Sequence, residues 1–238
     1  FGTDTAWRGT LERFDNRGLP AFALERATQL YAGGNRVEIG ATQISIERAT
    51  VDLKELIWRA GLLRTAGQMR GLNIGHVLQL QQEVTGNVPP VTSTLVLTGA
   101  WDVNITERAS GFAEVKRESG DVSVKSDGRE IVGGIESLQM RAAFEGSRMR
   151  IDGGLATARF GKVNAAGYVG LVQDNGFLTM SPQSTLALRI QANIAQLDNI
   201  SSVTGARVAL RGSANADLQV NGTLEKPVLA GNMIAENL

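Results

Sequence analysis

Histidine occurs once in the 238 residues, at His76, and cysteine not at all. A lone imidazole amid apolar neighbours has no thiol or second histidine to complete a typical zinc site, and a histidine-based triad has little to work with. A Gly-x-Ser-x-Gly elbow, a phosphate-cradling glycine loop and a Gly-x-Gly-x-x-Gly fingerprint are all missing from the sequence. The carboxylates are scattered over turns and polar positions, and nothing nominates a pair for acid–base work. Asn104-Ile-Thr, Asn199-Ile-Ser and Asn221-Gly-Thr match the glycosylation acceptor, but the first and third lie inside alternating strands. The residues nominate no catalytic centre, and no cofactor or metal is expected. The 24 basic side chains balance 24 acidic ones, so no net field favours nucleic acid.

What the chain offers instead is apolar side chains at period 2, the signature of half-buried strands. Three strips stand out: Leu95, Leu97, Trp101, Val103 and Ile105; Leu186, Leu188 and Ile190; and Leu218, Val220 and Leu224. The intervening positions, such as Thr98, Asp102, Gln191, Asp217 and Gln219, are polar. These strips give hydrocarbon contact without a fixed polar anchor. Small residues such as Ala192, Ala214 and Ala216 stand where a bulky core would want leucine, although a β-sandwich with a second sheet over the apolar faces accommodates the same pattern.

Other elements follow from turn chemistry. The 28 glycines suit many strands joined by tight turns. Asn16-Arg17-Gly18, Gly33-Gly34-Asn35, Ser119-Gly120-Asp121, Ser126-Asp127-Gly128 and Asn175-Gly176 all read as breaks, the last as a hairpin. A phase shift in the alternation places a turn or bulge near Glu47 and Arg48. Ile74, Val77, Leu78 and Gln81 have helical spacing with Asn73 as the N-cap, which predicts a helix over 73–84. A second short helix is predicted over 195–204 from Ile194, Leu197, Ile200 and Val203. The fold class is mainly β, with one or two short helices. No apolar run approaches the ~20 residues that span a bilayer as a helix, and a chain that opens at Phe1 is expected to be a piece of a longer protein.

The closing stretch Leu218-x-Val220-x-Gly222-Thr223-Leu224, then Pro227-x-Leu229-x-Gly231, resembles the repeat of the TamB and AsmA-like family. Segments around Trp7, Leu56 to Leu80 and Leu95 to Val122 are similar to it as well, so the resemblance touches roughly half the chain. It implies one continuous segment over residues 1–238: a long antiparallel sheet curled into an open trough, apolar inside, of the kind called a β-taco. It further implies a bridge carrying phospholipids between inner and outer membrane, with their acyl chains on the three strips. The bridge would lie in the periplasm of a Gram-negative bacterium, anchored to the inner membrane by a segment outside this chain. It would be linked to outer-membrane protein assembly through the barrel subunit TamA. The alternative role is a chaperone whose sheet edges pair with nascent outer-membrane proteins.

Overall fold

The computed structural model describes residues 6–87, 90–126, 129–174, 176–198 and 211–237. Strands dominate it. In chain order they are β1 (Trp7–Leu11), β2 (Asp15–Asn16), β3 (Phe22–Leu24), β4 (Thr28–Gly33), β5 (Arg36–Ile39), β6 (Thr42–Ile46), β7 (Ala49–Arg59) and β8 (Leu62–Asn73). One helix follows, α1 (Ile74–Thr85), and then β9 (Val91–Ser93), β10 (Val96–Ile105), β11 (Ala109–Ser119), β12 (Val122–Ser126) and β13 (Arg129–Val132). The chain continues through β14 (Ile135–Gly146), β15 (Arg148–Thr157), β16 (Gly161–Gly170), β17 (Val172–Asp174), β18 (Phe177–Thr179), β19 (Thr185–Ile194), β20 (Ser213–Thr223) and β21 (Pro227–Glu236).

Sixteen of these strands form one antiparallel sheet in the order β1-β4-β5-β7-β8-β10-β11-β14-β15-β16-β19-β20-β21, with β2, β3 and β6 branching from β7. The sheet is not closed. Among the described residues β1 pairs only with β4, β2 only with β3 and β21 only with β20, so its outer strands keep free edges. From β7 onward it is a meander of strands mostly 10 to 12 residues long, joined by tight turns or short excursions where the links lie within the described residues. One excursion carries α1 and β9, and another carries β12 and β13, which join β9 in a separate three-stranded sheet. The third is the β17–β18 hairpin, turning at Gly176 as Asn175-Gly176 predicts.

Helix α1 begins where the sequence places it. Asn73 Oδ1 accepts from the His76 backbone N–H at 3.2 Å, which satisfies one of the orphan donors of the first turn. Asn73→Ala should cost about 1 kcal/mol, and a denaturant titration of the variant measures it. The turn expected near Glu47 is present, with Glu47 at φ 54. The second predicted helix falls mainly on residues outside those described. Among the described residues no helix is long and apolar enough to cross a membrane.

Candidate functional site

Side chains alternate between the two faces of a strand, and registered partners point the same way, so the register shows which residues share a face. Starting at Trp101, partners run across the sheet through Ala113, Ala142, Ile151, Gly167, Leu188 and Val220 to Leu229. In the other direction Trp101 pairs with Gly67 and Gly67 with Leu53. The row beside it runs Gly99, Val115, Met140, Gly153, Ala165, Ile190, Leu218, Gly231. A third links Leu30, Ile39, Leu56, Thr65, Val103, Gly111, Phe144, Met149, Val169 and Leu186. The strips that the sequence suggests thus lie in register on one face, and strands with little sequence signal fill the space between them with glycine, alanine and methionine.

Individual placements refine this picture. Leu97, Trp101, Leu186, Leu188, Ile190, Leu218 and Val220 are half-buried on the apolar face, and Ile105 is half-buried at its rim. Val103 stands on the same face but is only 7% exposed, so little of it is free for a ligand. Leu95 lies outside β10, in the link from β9, because its N–H turns to Ser93 Oγ and its carbonyl accepts from Ile74 N–H at the start of α1. At 5% exposure Leu95 is internal packing. Leu224 follows the end of β20, where its N–H bonds the Ser184 carbonyl, and it belongs to a turn.

Trp101 is held in a fixed position on the apolar face. Its indole Nε1 donates to Thr65 Oγ1 at 3.0 Å, and its ring covers Gly67, where an added Cβ would lie 2.5 Å from the ring. Glycine therefore makes the floor on which the indole lies flat. The opposite face is polar and laced with ion pairs. Glu114 sits between Lys116 and Arg141, Arg64 pairs with Asp102, and Arg189 grips Asp217. Arg141 also lies 4.2 Å over the Phe112 ring. Hydrogen bonds from these cations hold the carboxyls of Glu114, Asp102 and Asp217 below their ordinary values, against a weaker opposing desolvation. A carboxyl depressed by folding adds stability above its unfolded pKa and loses it as pH falls through its folded pKa. Melting temperature should accordingly hold from pH 7 to about 5 and drop below about pH 4, with D102N/D217N losing part of that acid-dependent fall.

At one rim the apolar face is covered. The β17–β18 hairpin folds back over it, so that Leu171 and Leu178 pack with Ala109, Met149 and Val169 against Ile105 and Phe144. The hairpin reaches as far as the β7–β8 turn, where a Cβ on Gly61 would stand 3.7 Å from the Gly176 carbonyl. Beneath it lies a cleft of about 490 Å³ whose walls include Trp58, Leu63, Phe144, Met149, Phe177 and Met180. Nothing in the strand pattern announced this cover, which brings residues as distant in sequence as Gly61 and Gly176 together. Among the described residues no group of three or more His, Cys, Asp and Glu side chains could hold a metal ion. His76 sits on α1, away from these features, and H76Q should leave stability within about 0.5 kcal/mol, as a thermal melt would show. No family model, curated protein or solved structure matches the chain.

Proposed function

We propose that this chain is a non-enzymatic lipid carrier: a segment of a periplasmic bridge whose apolar face holds phospholipid acyl chains on the way between inner and outer membrane. One observation carries the reading, a register row of apolar residues and glycines that crosses an unclosed sheet from Leu53 through Trp101 and Leu188 to Leu229. Burying a methylene is worth ~0.8 kcal/mol, so a dozen chain carbons on this face gain on the order of 8 to 10 kcal/mol before ordering costs. The resemblance to the TamB and AsmA-like family points the same way and supplies TamA as the outer-membrane partner. Protein purified from bacterial envelopes without detergent should release phospholipid on solvent extraction, and a lipid-free preparation that does not take up phospholipid from vesicles would overturn the reading.

A second reading has its own observation. The outer edge of β21 is unpaired among the described residues, and Leu229 and Met233 on one face and Val228 and Ile234 on the other are 61 to 72% exposed. Such an edge suits β-augmentation by a nascent outer-membrane strand. Proline at Ala230 tests it: peptide binding should be lost and lipid content kept.

A further inference from the structure

Resting on the lipid-carrier reading, we propose that the apolar face is polarised: Arg117 anchors the lipid phosphate at one rim, and the hairpin-covered cleft takes the far end of an acyl chain at the other. Arg117 pairs in register with Leu97 and so stands on the apolar face, on the same side of β11 as Ala113 and Val115, and the row Leu138, Leu155 and Val163 on the following strands is apolar. A cation there needs a reason. Its guanidinium donates to the carbonyls of Gly120, at 3.0 Å, and Glu136, at 3.5 Å, and makes no ion pair among the described residues. Glu118, next to it in sequence, accepts from Gly71 N–H at 3.4 Å, and the acid on the turn, Asp121, is committed elsewhere. Its carboxylate accepts the backbone N–H groups of Val122, Gly134 and Ile135 at 2.7 to 3.2 Å. Arg117 thus keeps donors and a whole charge for an anion arriving at the rim, and a guanidinium suits phosphate oxygens.

The other rim has the reverse chemistry. The cleft under the hairpin is walled by aliphatic, aromatic and methionine side chains, which adapt to a flexible chain. Among the described residues its only ionisable lining residue is Asp174, an acid, which repels a phosphate and excludes the headgroup from this end. From Leu97, beside Arg117, to Ile105 in the cleft is eight residues of strand, about 27 Å. One leaflet with its headgroups measures about 20 to 22 Å, and the long arginine side chain shortens the gap, so a single lipid stretches between the two sites.

Phosphatidylcholine carrying a diazirine at the end of one chain, and a second lipid carrying it beside the glycerol, test this on the unaltered protein. After irradiation and peptide mapping, the chain-end probe should label the 171–180 hairpin and the 58–63 segment, and the glycerol probe the region of Arg117 and Leu138. Arg117→Gln should cut retention of phosphatidylcholine about tenfold while diacylglycerol with the same chains is retained as before, with Arg117→Lys intermediate. Equal labelling of both rims by both probes, or equal loss of the two lipids, would overturn the polarity and leave the carrier reading standing. If neither probe labels the protein anywhere, the carrier reading itself falls.

Discussion

Leu188→Asp should strip the protein of lipid while leaving it folded. Leu188 lies at the middle of the apolar face, half-buried, between Gly167, which has no side chain, and Val220. A carboxylate there must stay hydrated, and a hydrated ion in the path of an acyl chain costs the complex several kcal/mol, so lipid retention should fall by more than tenfold. Folding is affected far less, because the sheet is open and water reaches the new charge. In a closed sandwich the same substitution would bury an unpaired ion and unfold the domain. Circular dichroism and lipid extraction on one preparation separate the two outcomes: a folded protein that retains normal lipid would contradict the carrier reading, and an unfolded one would contradict the open face.

Gly167→Val should destabilise the fold strongly. A Cβ at Gly167 would meet the Ala187 carbonyl oxygen at 2.1 Å and Leu188 Cα at 2.7 Å, both backbone atoms of β19, which cannot swing aside as a side chain can. Either β16 separates from β19 or the sheet flattens locally, and the cost should exceed about 3 kcal/mol, the upper range for overpacking a core. Gly153 provides the control, because it lies on the same face and its nearest foreign atom, the Gln139 carbonyl oxygen, would be 3.5 Å from a new Cβ. Gly153→Ala should stay near wild-type stability in urea titrations. Equal losses at the two positions would show that glycine is needed here for something other than the approach of β19.

The sequence was most legible where large apolar and polar residues alternate. Val96–Ile105, Thr185–Ile194 and the closing pair Ser213–Thr223 and Pro227–Glu236 are strands on the expected phase, and the helix predicted over 73–84 is Ile74–Thr85. Strand β8 was hidden for a physical reason. Its inward positions are Leu63, Thr65, Gly67 and Met69, and the register then slips near Gly71, so the period-2 signal is weak and breaks. The same strand makes the floor under Trp101, which shows that a small residue on this face is a partner of a large one across the register. Leu95 and Leu224 extend the alternation in the sequence but leave the strands in the fold, because side-chain and loop hydrogen bonds at Ser93 and Ser184 end the ladder first. Arg117 and the hairpin cover were not foreseen. A charge beside Lys116 and Glu118 in a half-polar strand looks solvated, and only the pairing with Leu97 puts it on the apolar side.

Site-specific photocrosslinking in cells tests the central claim most directly. A benzophenone side chain placed at Leu97 or Leu188, on the apolar face, should give phospholipid adducts detectable by mass spectrometry. At Asp102 or Gln191, whose register partners Phe112 and Asp217 lie on the opposite face with the ion pairs, it should give none. Absence of lipid at Leu97 and Leu188, or equal labelling of the two faces, would contradict a lipid-carrying trough.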